Sequence, residues 1–288
     1  IDKSMTYSSI CVDYWSKRLA ENVSQKIGVI NPVVVKAHIR QVYLRNVLGG
    51  KGLSKGTEFA TMVRAATPDA VLRGVETLTA GTDGDVLVLD IGGATTDVYS
   101  VISPQGEDAA LSKDVVAPLW HARTVEGDLG MRWNATGVCE AAKAERLMSG
   151  TDLLQLETWA VAMEAEPAYL PNGDREIMLD LTLARVAALT AVRRHARPSN
   201  SWDSARPLAR VTNVIGSGGV LRHSSKANQD NLLRAVINDV SGGWKVPKEA
   251  LTTVDCSYLL FAAGLLADAD GYGPEVAARV AGRVLAPG

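Results

Sequence analysis

Residues 86–101 read VLVLDIGGATTDVYSV, and no other stretch limits the possible folds as tightly. Val86 to Leu89 are apolar without alternation, so that strand is expected to be buried on both faces in the middle of a sheet. It ends at Asp90 and Ile91, turns at Gly92 and Gly93, and gives way to a second strand-like run from Thr95. The pattern predicts a hairpin over 86–102 with the two glycines at its tip.

Around this hairpin, strands and helices alternate. Asn31 and Pro32 read as an N-cap and first helical position; Val35, Ile39, Val42 and Val47 follow at helical spacing, and Gly49-Gly50 end the run. TPDAVLRGVETLTAG (67–81) predicts a second helix with Val71, Val75 and Leu78 on its apolar face. Short strands are expected in 109–117 and 120–125. From Asp128 to His195 the chain turns helical, with a break at Pro167, Pro171 and Gly173. RVTNVIGSGG (210–219) again runs a strand into glycines, SKANQDNLLRAVIND reads as helix, TTVDCSY as extended, and two helices finish the chain. The expected fold class is α/β.

Composition excludes several kinds of partner. At 288 residues the chain exceeds the usual single domain, which predicts two lobes or one elaborated domain. A formal net charge of -2 leaves no basic footprint for nucleic acid. Cys11, Cys139 and Cys256 lie far apart, with neither metal spacing nor a disulfide framework, which fits a reducing cytosol. No apolar run is long enough to span a bilayer, so no membrane partner is expected and the cytoplasm is the expected location. YLLFAAGLLA (258–267) is the most apolar segment and reads as a buried helix. His38, His121, His195 and His223 share no spacing suited to a metal, and Arg193, Arg194 and Arg197 read as a solvated helix end.

Three stretches carry chemistry. A polyphosphate requires converging backbone N–H groups and no obstructing Cβ, and glycine meets both needs. In DIGGATTD the amides of Gly92, Gly93 and Ala94 can face a phosphate, and the hydroxyls of Thr95 and Thr96 can donate to it. Asp90, at the strand's end, can hold Mg²⁺ through water, since this hard cation prefers oxygen and keeps its hydration shell. Asp97 orients a water or anchors the turn. The plainer alternative is a hairpin whose polar residues satisfy only its own backbone. In VIGSGGVLRH the strand ends at Gly216 and Ser217, and Gly218-Gly219 lead into a helix whose N-terminus can accept an α-phosphate; packing glycines in a strand-to-helix turn explain it equally well. It is neither a Walker A loop nor a dinucleotide fingerprint. In TVEGDLGMRWNA, Glu126 and Asp128 flank Gly127 before a helix, either near Mg²⁺ and an attacking water or, for Asp128, as an N-cap.

In this order, the three stretches resemble the second half of the actin/Hsp70/sugar-kinase ATPase superfamily. VLVLDIGGATTDVYSV is similar to its second phosphate motif, VIGSGGVLRH to its adenosine motif, and EGDLGMR to the glycine-acid turn after the phosphate hairpin. TPDAVLRGVETLTAG and YLLFAAGLLA resemble the two interlobe connecting helices, so the likeness covers about 33–267. It implies two ribonuclease-H-like lobes closing over Mg-ATP or Mg-ADP. DIGGATTDVYSV, RTVEGDLGMR and IGSGGVLRH look most like the reactivating-factor family found with glutamate mutase, called MutL in that setting and unrelated to mismatch repair. That resemblance implies an ATP-driven, chaperone-like factor whose client is an adenosylcobalamin-dependent mutase.

The superfamily's first phosphate motif is an Asp-x-Gly-x-Thr hairpin. ICVDYWSK (10–17) is the candidate here, and it lacks the glycine and the threonine. The expected organisation is a remnant of lobe I with the first connecting helix over 1–83, and a nucleotide-binding lobe II over 84–267 with a helical insertion at 138–197. A C-terminal helix over 268–288 is expected to return to lobe I. Slow Mg-dependent ATP hydrolysis is expected only beside a complete lobe I. A small-molecule kinase and a non-catalytic nucleotide-binding scaffold are the alternative functions, and a homo-oligomer is left open.

Overall fold

The computed structural model describes residues 67–82, 84–104, 120–198, 204–269 and 274–286, and the backbone of Ser24–Lys26 and Val29–Ile30. The expected helix from Asn31, the strand in 109–117 and the ICVDYWSK segment lie outside the described residues. The chain divides into two compact units, 1–64 and 65–288. In the first, β1 (Ser24–Lys26) pairs antiparallel with β2 (Val29–Ile30).

The second unit is built on five strands, β3 (Asp85–Ile91), β4 (Thr96–Val101), β5 (His121–Glu126), β6 (Val211–Ser217) and β7 (Leu251–Val254). Their order is β5-β4-β3-β6-β7. The first three form an antiparallel meander, while β6 and β7 run parallel to β3. The apolar strand is therefore the central one, and the hairpin forms where the glycines predict it. This is an α/β fold on a mixed sheet.

Alternation along β3 sends its side chains to two separate cores. Val86 and Val88, with Tyr99 and Val101 of β4 and Ile215 of β6, pack under α1 (Thr67–Ala80), α7 (Leu259–Ala267) and α8 (Pro274–Gly282). Leu87, Leu89 and Ile91 face the other way, toward α2 (Ala135–Ala144), α3 (Gly150–Ala165), α4 (Asp174–Ala196) and α6 (Lys226–Ile237). A strand buried on both faces has no room for a polar stripe, which is why its sequence lacks one.

Local chemistry sets the helix ends. Pro68 occupies the first turn of α1, where a missing N–H costs nothing, and the Gly81 amide bonds the Leu78 carbonyl at 3.0 Å as the helix ends. Ser225 caps α6 by accepting from the Asn228 amide at 3.3 Å. The expected break between α3 and α4 is present, with Gly173 at φ +89°.

α1 and α7 cross in backbone contact. A Cβ on Gly74 would lie 1.9 Å from the Leu260 carbonyl oxygen, and one on Gly264 would lie 1.8 Å from that of Ala70. In α7 only Leu260, Ala263 and Gly264 are buried, so the most apolar segment is half-buried rather than a core helix. No helix among the described residues is long and apolar enough to cross a membrane.

Candidate functional site

Because β3, β6 and β7 are parallel, their carboxyl ends meet at one edge of the sheet. Asp90 stands beside Ser217 in the β3–β6 register, and the Asp255 amide just beyond β7 bonds the Gly216 carbonyl at 2.8 Å. Ligands of open α/β sheets occupy the crevice outside such ends. A cleft of about 250 Å³ opens there, lined by Asp90, Ser217, Asp255 and Tyr258 on one side and by Thr67 and Val71 of α1 on the other.

Asp90 is directly opposite Asp97 across the β3–β4 ladder, so the two carboxylates share a sheet face. The Asp97 Oδ2 accepts from the Tyr99 hydroxyl at 3.1 Å, whereas its buried Oδ1 has no hydrogen-bond partner. Burial, then the neighbouring Asp97 charge, pushes the Asp90 pKa up to about 6, against the pull of the Ser217 hydroxyl. Asp255 adds a weaker push in the same direction. Burial also raises Asp97, opposed by the Thr95 and Tyr99 hydroxyls and by the Arg123 charge. Like charges directly opposite in a sheet destabilise it.

Such a pair is deficient in positive charge, and an oxygen-loving cation fits that deficiency. Mg²⁺ takes one or two carboxylates and completes its shell with water and phosphate. Among the described residues no group of three or more His, Cys, Asp or Glu side chains is placed to hold a metal. Two carboxylates alone do not fill the oxygen shell of a divalent ion.

At the hairpin tip the Gly92 and Gly93 carbonyls are taken, whereas the Gly93 and Ala94 amides have no backbone acceptor among the described residues. Gly92 O accepts from the Met131 amide at 3.0 Å, and Gly93 O accepts from Arg132 and Trp133 at 2.8 and 2.9 Å. Gly92 N–H closes the turn on Thr95 O at 2.9 Å, while the Gly93, Ala94 and Thr95 amides donate to no backbone carbonyl outside the strand ladders among the described residues. Gly93 and Ala94 are exposed. The hydroxyls divide between two roles: Thr96 is buried and donates to the Leu129 carbonyl at 2.6 Å, whereas Thr95 lies toward Asp97.

The second glycine loop meets the hairpin strand. Gly218 has φ +98°, and a Cβ there would sit 2.1 Å from the Ile91 carbonyl oxygen, so both the backbone conformation and the close approach require glycine. Gly216 packs against Leu221 and Leu233, whereas the Cβ position of Gly219 is open. The loop leads into a single turn of helix, α5 (Gly219–Arg222).

Glu126 and Asp128 are not brought to Asp90. Glu126 pairs in register with Thr96, whose side chain lies on the face opposite Asp97. Both acids instead bind Arg194 of α4: its Nη1 donates to Glu126 Oε2 and Asp128 Oδ1 at 2.7 Å each, and its Nη2 to Asp128 Oδ2 at 2.9 Å. The Arg194 hydrogen bonds hold the Asp128 pKa below the ordinary carboxylate range. The expectation of a solvated arginine cluster is corrected here. Arg193 is 5% exposed and binds Asp239 through Nε at 2.6 Å and Nη2 at 2.8 Å, and Arg197 pairs with Glu145. Their partners are distant in sequence, beyond the reach of helix periodicity.

Two residues of the cleft, Asp255 and Tyr258, carry no motif, and sequence reasoning misses them. Asp255 is 3% exposed; its carboxylate accepts the Ser257, Leu259 and Leu260 amides at 3.3, 2.9 and 2.9 Å, capping α7. Tyr258 sits at φ +53°, with the Arg222 guanidinium 5.0 Å from its ring. The one signal in the residue order is a strand running into an acid, as in β3, just before a helical run.

Known proteins complete this description. Residues 14–285 match the family described as MutL protein. The chain is 32% identical over 268 residues to Protein MutL of Clostridium tetanomorphum, an alignment that covers 87% of this chain and 58% of that protein. No solved structure matches. With a family match along nearly its whole length and that level of identity to a named relative, the chain belongs to the MutL protein family.

Proposed function

We propose that the cleft at the ends of β3, β6 and β7 binds the Mg²⁺-polyphosphate part of ATP or ADP. The proposed work is that of a chaperone-like reactivating factor for an adenosylcobalamin-dependent mutase such as glutamate mutase. One observation carries the nucleotide reading: Asp90 and Asp97 lie side by side beneath a hairpin whose tip amides are open, and neither carboxylate has an ion-pair partner among the described residues. Mg²⁺, when bound, neutralises phosphate and carboxylate charge together.

The chain's own groups divide the labour. Asp90 addresses the hydrated ion, and Asp97, fixed by Tyr99, keeps a buried oxygen available to a water in that shell. The Gly93 and Ala94 amides face the phosphates, with the Thr95 hydroxyl as a further donor. Ser217 and the open surface of Gly219 receive the nucleoside side. Thr96, Glu126 and Asp128 do structural work instead. The antiparallel meander extended by two parallel strands supports the ribonuclease-H-like reading of this unit. Membership of the MutL family supports the mutase client, and a chain spanning 58% of its relative makes reactivation a property proposed for the whole protein.

Calorimetric titration with Mg-ADP and Mg-ATP tests the site. Saturable binding is expected, weakened at least tenfold by Asp90→Ala and by Gly93→Val. The Gly93 Cβ position meets only Arg132, at 3.8 Å, so the added side chain crowds the ligand rather than the fold. Absence of binding, or binding indifferent to both substitutions, rejects the site. Purified glutamate mutase carrying damaged cobalamin then tests the client, with ATP-dependent recovery of activity as the expected result.

A further inference from the structure

The loop after β5 is fastened to the hairpin along its length. Thr96 Oγ1 donates to Leu129 O at 2.6 Å, and the amides of Met131, Arg132 and Trp133 bond the Gly92 and Gly93 carbonyls. Between these anchors a Cβ on Gly130 would lie 2.4 Å from Ala94 O, so loop and hairpin tip are in backbone contact. The tip cannot move without carrying residues 129–133.

Besides Asp128, which binds Arg194 of α4, this loop sends Arg132 to the helical insertion. Arg132 Nη1 and Nη2 donate to Asp180 Oδ1 and Oδ2 at 2.9 and 3.0 Å, a two-pronged pair whose side chains are 14% and 9% exposed. Asp180 belongs to α4, and its Oδ1 also accepts the Trp159 indole N–H of α3 at 3.3 Å. Arg132 Nη1 bonds Met131 O at 2.8 Å, which ties the guanidinium back to its own loop. A fork-to-fork pair in a desolvated setting tolerates little change in geometry.

We propose that Arg132 is a positioning residue that transmits occupancy of the hairpin through Asp180 and Trp159 to α3 and α4. This rests on the nucleotide reading of the hairpin. A phosphate drawn onto the Gly93 and Ala94 amides shifts the tip; the loop follows, and the pair either moves α3 and α4 with it or breaks. Both outcomes change the surroundings of the Trp159 indole, which is 7% exposed and sits at the end of the chain of bonds. The route is a set of physical contacts with one defined output, so coupling along it can be measured directly.

The test labels all six tryptophans of the chain with 5-fluorotryptophan and follows them by ¹⁹F NMR, with Trp159 assigned from a Trp159→Phe sample. Mg-ADP is titrated while calorimetry follows binding in parallel. The Trp159 resonance is expected to shift in step with calorimetric occupancy. In Asp180→Asn the affinity should stay within threefold while the Trp159 shift falls at least fivefold. Arg132→Lys, which keeps the charge but loses the fork, should give an intermediate shift. A merely structural pair would lower the melting temperature of these variants and leave the shift intact. A Trp159 resonance that stays fixed at full occupancy of the unsubstituted chain overturns the proposal without any variant having to fold. An equal shift in all three chains overturns it as well. If calorimetry detects no binding, the nucleotide reading fails first and the relay falls with it.

Discussion

Two pairs of acids leave this sheet in opposite directions, and their surroundings could hardly differ more. Asp90 and Asp97 face α1 and α7 with no ion pair to either among the described residues. Glu126 and Asp128 face α4, where one guanidinium binds both. Nearby on that side, Arg193 answers Asp239 and Glu145. The α4 face thus pairs these acids with its own cations, while on the α1 face Asp90 and Asp97 have no ion pair among the described residues and the more distant Arg123 is the one charge that lowers Asp97. An acid's role here follows from which neighbour carries the compensating charge, more than from its place in a motif.

The comparison can be broken most severely at Arg193. Replacing it with Met removes the cation between Asp239 and Glu145, whose side chains are 9% and 15% exposed. Urea unfolding should show a loss of about 3–5 kcal/mol, because Asp239 is left buried without its ion-pair partner, whereas Glu145 keeps Arg197. A loss under 1 kcal/mol would mean that the α4 face does not depend on its internal cations.

Asp90→Asn should do the reverse. With a pKa near 6 in the fold and about 4 unfolded, the folded state holds the extra proton between those values. Stability contributed by this group therefore rises as pH falls from about 6 to about 4, and the full penalty stands above 6. Two units correspond to on the order of 3 kcal/mol. The Asn variant should be more stable than the native chain at pH 8, lose that advantage near pH 4, and bind Mg-ADP poorly. Equal stability of the two chains across this range would mean that Asp90 bears no uncompensated charge.

A smaller effect belongs to Arg194→Met, since its side chain is 29% exposed and that of Asp128 is 53% exposed. A loss of about 1 kcal/mol is expected at neutral pH, with Mg-ADP affinity unchanged. Asp128 has the opposite pH dependence to Asp90. Its pKa is lowered, so its contribution is present above the ordinary carboxylate value and disappears as pH falls through the folded one. The stability differences of the two single variants from the native chain, followed from pH 3 to pH 8, should therefore slope with opposite sign. Parallel slopes would erase the distinction between the faces.

Much of the fold is legible in the order of residues alone. The unbroken apolar run of β3 announces a central strand, Pro68 and Gly81 mark the ends of α1, and Gly173 marks the break ahead of α4. These signals are local, arising from steric limits on φ and from the period of the backbone. The hairpin glycines and Asp90 are recognisable for the same reason. Thr95 and Thr96 look interchangeable in a string, yet strand alternation turns one toward Asp97 and buries the other against Leu129. Asp255 and Tyr258 carry no glycine signature, and only the parallel return of β7 beside β6 brings them to the cleft.

Although the N-cap expected at Asp128 falls instead at Asn134, residue order settled what several segments are: the buried strand, the glycine turns, and the acid at the strand's end. These depend on neighbours within a few positions, whose sterics and hydrogen bonds are complete in the local chain. Tertiary structure decided what each charge meets. Arg194 lies 66 and 68 residues from Asp128 and Glu126, and Arg132 lies 48 from Asp180. Electrostatic partnership falls off with distance in space and with exposure to water, and neither quantity exists until the sheet has been assembled.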